Sequence, residues 1–396
     1  MRILHTSDWH LGRSFHREGM LTHQAAYVDH LLDVVERERV DLVLVAGDVY
    51  DRALPHVDAV RLADEALARL AASRAKVVIT SGNHDSAQRL GFSSRLIDAA
   101  GVFIRTDAGT VGAPVLLEDE HGPVAVHGLP YLDPSAVREP WGLPGRSHEA
   151  ALAEAMRRVR ADLAGRSGVR SVVLAHAFVA GAEPSDSERD ISVGGVSIVP
   201  TSLFDGVDYV ALGHLHGRHT LTEAVRYSGS PLAYSFSEAT HRKGSWLVEL
   251  GPTGLGSVEF VEAPVPRPLA RLRGSLESLL ADPALAGHEA SWVQATLTDD
   301  VRPRQAMERL RARFPHTLVL GFEPLAGDAA TAPAARVQGR SEHAIALDFV
   351  EEMRGAPATP AEGALLREAF DACCEDADVD VLVPSAGAAG GPGAGV

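Results

Sequence analysis

Five short apolar runs in this chain each end on histidines or carboxylates, and that arrangement leaves few folds open. "RILHT" runs into Asp8 and His10, "DLVLVA" into Asp48 and Asp51, and "KVVITS" into Asn83, His84 and Asp85. "SVVLAH" ends on His176, and "DYVALGH" leads to His214 and His216. Runs of this length, rich in Val, Ile and Leu, read as buried strands. The stretches near 25–39 and 57–72 that separate the first three carry helical spacing. Strands alternating with amphipathic helices predict an α/β fold. Further strand-like runs at "PVAVHG", "SWLVEL" and "SVEFVEA", with a helix over 148–163, extend it to a two-sheet sandwich flanked by helices.

An unpaired carboxylate beside a core costs several kcal/mol, so Asp48 needs a reason to follow "DLVLVA". In an open α/β sheet, ligands bind beyond the carboxyl ends of strands, where groups distant in sequence converge. Asp8, His10, Asp48, Asn83, His176, His214 and His216 would serve two divalent ions if Asp48 bridges them, and such a pair can hold a phosphate and activate water. Asp51, three residues on, is placed to orient His84, which could protonate a leaving oxygen. With 18 His and two adjacent cysteines, Cys373 and Cys374, the ligands must be imidazole and oxygen. That set suits Mn, Fe, Zn or Ni. The cysteines read as packing residues.

In order, these blocks are DxH, GDxxD, GNHD, a lone His and GHxH, and the series resembles the calcineurin-like metallophosphoesterases. "GNHDSAQRLGFSSRLIDAAGVFI" and "YSGSPLAYSFSEATHRKG" narrow the resemblance to the SbcD family, the nuclease subunits of bacterial SbcCD complexes. The resemblance implies a Mn-dependent DNA nuclease, an exonuclease on double strands and an endonuclease on single strands and hairpins. It would serve DNA repair, recombination and replication with the coiled-coil ATPase SbcC, as a nuclease homodimer within a heterotetramer. It assigns Asp8, His10, Asp48 and His216 to one metal and Asp48, Asn83, His176 and His214 to the other. His84 and Asp51 become catalytic, the latter departing from archaeal and eukaryotic relatives, which tend to have histidine there. The alternative is a metal-dependent phosphatase acting on phosphoprotein or a small phosphoester. "GDVYDR" fits it, but Ala53 stands where those enzymes usually have Gly, and "GNHD" where they usually read GNHE. A non-catalytic scaffold would normally have lost ligands.

Three prolines between Pro264 and Pro268 set a boundary near residue 266. The expected organisation is a nuclease domain over 1–265, an α+β cap over 266–325 and a linker over 326–340. A helical SbcC-binding segment over 341–383 and a tail over 384–396 complete it. Phe349, Met353, Leu366 and Phe370 are the apolar residues that would meet the partner. Arg302, Arg304, Arg309, Arg311 and Arg313 form either a DNA-facing stripe or a solvated face, while Arg13 and His16 lie close enough to the first motif to reach a substrate phosphate.

A net charge of −16 argues against coating nucleic acid and asks for local basic tracks or a partner to recruit DNA. Neither lysine, Lys76 or Lys243, follows a glycine, so any ATP site belongs to another chain. No run approaches the roughly 18 apolar residues of a membrane span, and "MRILHTSDWH" is not a secretory signal, so a cytoplasmic location is expected.

Overall fold

The computed structural model describes residues 1–189, 191, 198–324, 341–354 and 356–377. Its contacts divide the chain into two compact units, Met1–Glu323 and Pro324–Val396. The expected linker over 326–340 and tail over 384–396 lie outside the described residues, as do the last residues of the helical segment.

Two six-stranded sheets form the sandwich of the first unit. In the first, the strands run in the order Gly254–Glu262, Gly244–Gly251, Arg2–Thr6, Leu42–Ala46, Lys76–Thr80, Val102–Arg105. The last four are parallel, and Arg2–Thr6 also pairs antiparallel with Gly244–Gly251. The second sheet runs His219–Thr220, Val225–Tyr227, Tyr209–Gly213, Arg170–His176, Gly122–Leu129, Val115–Asp119.

Leu42–Ala46 is buried at every position because alternate side chains feed two cores. Leu42 and Leu44 join Ile3, Val78, Val172, Leu174 and Tyr209 between the sheets. Val43 and Val45 point the other way, to Tyr27, Val28, Leu31, Ala63 and Ala66 on the helices Leu21–Arg37 and Val57–Ala72. On the second sheet, Val173, Ala175 and Val210 pack against Ala151, Ala155, Met156 and Val159 of the helix His148–Ala164. Ser147 caps that helix by accepting from the Ala150 amide.

The sheets come close together at one pair of strand ends. A methyl added at Gly213 would lie 1.8 Å from the Ala46 carbonyl oxygen. Only glycine lets the chain pass there, and the turns that follow Ala46 and Gly213 are thereby brought together.

Residues 269–322 build a third, parallel sheet from Leu269–Gly274, Trp292–Leu297 and Thr317–Phe322, covered by the helices Leu276–Ala281 and Ala306–Arg313. Its core centres on Leu272, Leu276, Val293, Leu310 and Phe314. Its first strand was hidden in the sequence behind the prolines, in a run that reads as a connection. Phe15, Met20, Tyr234, Phe236 and Trp292 form the apolar joint between this sheet and the sandwich.

The second unit shows the expected helix pair, Glu342–Arg354 and Pro360–Ala377. His343 Nε2 meets the Gly363 carbonyl at 3.0 Å, and Arg354 pairs with Glu362 at 2.7 Å. Phe349 and Leu365 are exposed, while the side chains of Met353, Cys373 and Cys374 lie outside the described residues. No helix among the described residues is long and apolar enough to cross a membrane.

Candidate metal centre

The turns beyond the strands are stitched together before any side chain is considered. The Asp8 amide donates to the Gly47 carbonyl at 3.1 Å and the His10 amide to the Asp48 carbonyl at 2.9 Å. Asp85 carries the stitching onward, its carboxylate accepting from the amides of Val49, Tyr50 and Gly82. Asp8, His10, Asp48 and His214 all have positive φ, a conformation in which side chains other than glycine are costly. Hydrogen bonds hold them there: the His84 amide donates to Asp48 Oδ1 at 2.8 Å, and the His214 amide to Asp8 Oδ1 at 3.0 Å.

All seven donors singled out in the sequence, with His84, come together in the folded chain. His10 Nε2 lies 3.0 Å from His216 Nε2, and Asn83 Oδ1 lies 2.9 Å from His176 Nε2 and 3.2 Å from His214 Nδ1. Asp48 Oδ2 sits between the two sets, 3.6 Å from His10 Nε2 and 3.5 Å from His176 Nε2. Three groups cluster closely enough to hold an ion: Asp8, His10 and His216; His10, Asp48 and His84; Asp8, Asp48 and His176. Every residue of these groups is buried, as is His214, and Asn83 is half-buried.

These donors fit divalent ions. Two imidazole Nε2 atoms 3.0 Å apart can share at most one proton, and His10 Nδ1 and Asn83 Nδ2 are buried without hydrogen-bond partners. The Ala46 carbonyl accepts from His176 Nδ1 at 3.0 Å, which turns Nε2 toward two oxygens, Asn83 Oδ1 and Asp48 Oδ2. A cation on Nε2, a proton or a metal, satisfies both oxygens at once. Burial raises Asp8 to about 6 against the pull of His176 and His216. Burial also opposes charge on Asp48, but His176 and His10 hold its carboxyl well below the usual range. At His176 burial works against protonation, and the Asp48 and Asp8 carboxylates outweigh it, raising the imidazole to about 9.

A metal taken by His176 must therefore displace a proton at neutral pH. Affinity for that ion should rise between pH 7 and 9 by up to about tenfold per unit and level off above. Mn2+ titrations of the apo chain at several pH values would check this, and a pH-independent affinity would contradict it.

Asp51 behaves differently from the expectation. His84 Nδ1 is held by the backbone carbonyl of Asp51 at 2.8 Å, whereas the Asp51 carboxylate faces Arg52, Arg13 and His10 Nδ1 at 3.4, 3.8 and 3.9 Å. The partner to His84 is main chain, so the Asp51 side chain is not what orients it. Arg13 donates to the Ser187 carbonyl and lies over the Tyr234 ring, and His16 packs on Phe15 and Phe236. The arginine stripe also dissolves in part. Arg311 bonds the Thr317 carbonyl, and Arg313 bonds Glu289 and the carbonyls of Leu279 and Asp282, so both serve their own domain.

Several supporting groups were not singled out from the sequence, although Tyr234, Glu238 and Lys243 lie in the run "YSGSPLAYSFSEATHRKG" that carried the resemblance. Gln24 donates to the His10 carbonyl and to Tyr234, and Tyr234 donates to the Trp9 carbonyl. Ser187, Glu188, Glu238 and Lys243 surround His216.

Residues 1–218 match the family model described as calcineurin-like phosphoesterase. Residues 265–354 match SbcD_C, described as the type 5 capsule protein repressor C-terminal domain. Among solved structures, a dimetal phosphatase from Danio rerio is similar at 18% identity and a TM-score of 0.41, covering 67% of this chain and 99% of its own. The protein TT1561 of Thermus thermophilus is 12% identical at a TM-score of 0.38, covering 66% and 98%. GAP50, the anchor in the inner membrane complex of Plasmodium, is 12% identical at 0.40, covering 83% and 98%. The family matches decide the matter: this chain belongs to the calcineurin-like phosphoesterases, as a member of the SbcD type.

Proposed function

We propose that this chain is a two-metal DNA phosphodiesterase, the nuclease subunit of an SbcCD-type complex. It is carried by the coincidence of an SbcD_C match over 265–354 with a complete donor set in the domain before it. One ion would be held by Asp8, His10, Asp48 and His216, and the other by Asp48, Asn83, His176 and His214, with Mn2+ the preferred metal. Bound there, two divalent ions supply the positive charge that holds a phosphodiester and lowers the pKa of the attacking water.

The chain's own part is positioning and proton transfer. Asp48 holds the two donor sets at a fixed separation. His84 donates through Nδ1 to the Asp51 carbonyl, so the proton it would pass to the departing sugar oxygen is the second one, carried on Nε2 in the imidazolium form. His84→Gln should lower kcat by about 10²–10⁴-fold while metal content stays at two per chain. A variant that turns over normally would remove His84 from the chemistry.

SbcC would dock on the segment over 341–383, where Phe349 and Leu365 of the helices Glu342–Arg354 and Pro360–Ala377 present apolar side chains to solvent. Deleting residues 341–396 should abolish co-purification with SbcC and leave metal binding intact. The assembly would be a heterotetramer around a nuclease homodimer, acting in the cytoplasm in DNA repair, recombination and replication.

The decisive experiment is cleavage of end-labelled linear duplex and hairpin DNA with Mn2+, with and without SbcC and ATP, against His214→Ala. Metal-dependent cutting that vanishes in the variant supports the nuclease. DNA left intact while a bis-aryl phosphodiester is hydrolysed would retain the phosphoesterase and reject the substrate.

A further inference from the structure

His216 differs from the other histidines of the centre in how completely it is held. Its amide donates to Glu188 Oε1 at 2.6 Å, and its carbonyl accepts from Lys243 Nζ at 2.8 Å. Its ring Nδ1 lies 2.5 Å from Ser187 Oγ, which lies 2.5 Å from Glu238 Oε1. Glu238 is ion-paired through its other oxygen with Lys243, and both residues are buried.

Proton counting along this chain has one solution. Lys243 has three N–H donors and three acceptors, the His216 carbonyl, Ser230 Oγ and Glu238 Oε2. The carboxylate paired with it can only accept, so the single Ser187 hydroxyl proton goes to Glu238. Ser185 offers Ser187 nothing in exchange, because its own proton goes to Glu188 Oε2 at 2.6 Å. Ser187 Oγ must then accept from His216 Nδ1–H. That fixes the tautomer and points the Nε2 lone pair at the centre, toward His10 Nε2. Met20, Leu232, Pro264 and Trp292 line an apolar cavity against Glu238 and Lys243, where low polarity strengthens each bond of the network. His10, by contrast, has no hydrogen-bond partner at Nδ1.

We infer that Ser187 and Glu238 are positioning residues that hold the His216 imidazole ready for metal and so set the affinity of one ion of the pair, the one shared with Asp8, His10 and Asp48. This rests on the dimetal reading above, but not on DNA as substrate. The other ion, held through His176 and His214, does not touch the network.

The test is Mn2+ titration of the full-length apo chain, followed by calorimetry and by the electron paramagnetic resonance of free Mn2+, without DNA. Ser187→Ala should weaken one of two ions by about 10–100-fold and leave the second unchanged, with the apo melting temperature lowered by no more than a few degrees. Ser187→Thr, which keeps the hydroxyl, should bind both ions as wild type does. Should Ser187→Ala fail to fold, Glu238→Gln is read instead. Its amide can donate to Ser187 and reverse the proton order, so the same single ion should weaken. Unchanged affinity at both ions, an equal loss at both, or a threonine variant as weak as alanine would overturn the inference. A wild-type chain that takes up no second ion would overturn the dimetal reading itself, a separate and recognisable result.

Discussion

Asp48→Asn should all but abolish phosphodiester hydrolysis while leaving the fold intact. The variant changes charge and little else. Asparagine tolerates the left-handed backbone that Asp48 adopts at φ 50°, and its Oδ1 can still accept from the His84 amide as Asp48 does at 2.8 Å. Lost is the negative charge between His10 and His176, and with it the link between the two donor sets. Removing that charge forfeits about 4 kcal/mol or more of transition-state stabilisation, about a thousandfold in rate. Apo stability should fall near neutral pH, because the buried Asp48 carboxylate is what keeps His176 protonated and its loss leaves that imidazole without its counter-charge. Turnover of a bis-aryl phosphodiester, metal content and apo melting temperature together check this. Wild-type turnover, or two tightly held ions, would show that Asp48 is no bridge.

The second large effect comes from a residue without a side chain. Gly213→Ala should cost about 3 kcal/mol or more and lower the melting temperature by roughly 5–10 °C. The new methyl would lie 1.8 Å from the Ala46 oxygen and 3.0 Å from His176 Nδ1. That same oxygen holds His176, so relieving the clash moves Ala46 and the turn leading to Asp48. Weaker binding of the ion assigned to His176 should accompany the loss of stability. Gly145→Ala serves as the control, since a methyl there meets nothing within 4 Å. If both variants melt alike, the sheets have more room at this point than the structure gives them.

The donor set was legible because each member ends a strand or lies within a few residues of its end, and a strand announces itself by its apolar run. The helices over 57–72 and 148–164 were legible from spacing, since Ala59, Ala63, Ala66 and Leu70 line one buried face. What stayed hidden is what side-chain identity does not encode. His84 is oriented by a backbone carbonyl, so spacing alone gave it the wrong partner in the Asp51 carboxylate, and the carbonyls on which Arg311 and Arg313 end could not be read from spacing either. Ser187 and Glu238 sit in segments without periodicity, and their role exists only once the fold brings them together with His216 and Lys243. The strand Leu269–Gly274 carried a usable signal, the alternation of Leu269, Arg271 and Arg273 with Ala270 and Leu272, masked by the prolines before it.

The strand Arg2–Thr6 pairs with Gly244–Gly251, and the Met1 amine reaches the Leu250 carbonyl across 249 residues. A ribosome adding about 5–20 residues per second makes the first strand on the order of 10–50 seconds before its partner. Until then one edge of the opening strand has no neighbour, and Asp8 waits for His214 and His216. The centre therefore cannot be completed on a half-made chain, and a protein that would cut phosphodiesters acquires that capacity only as the sandwich finishes closing.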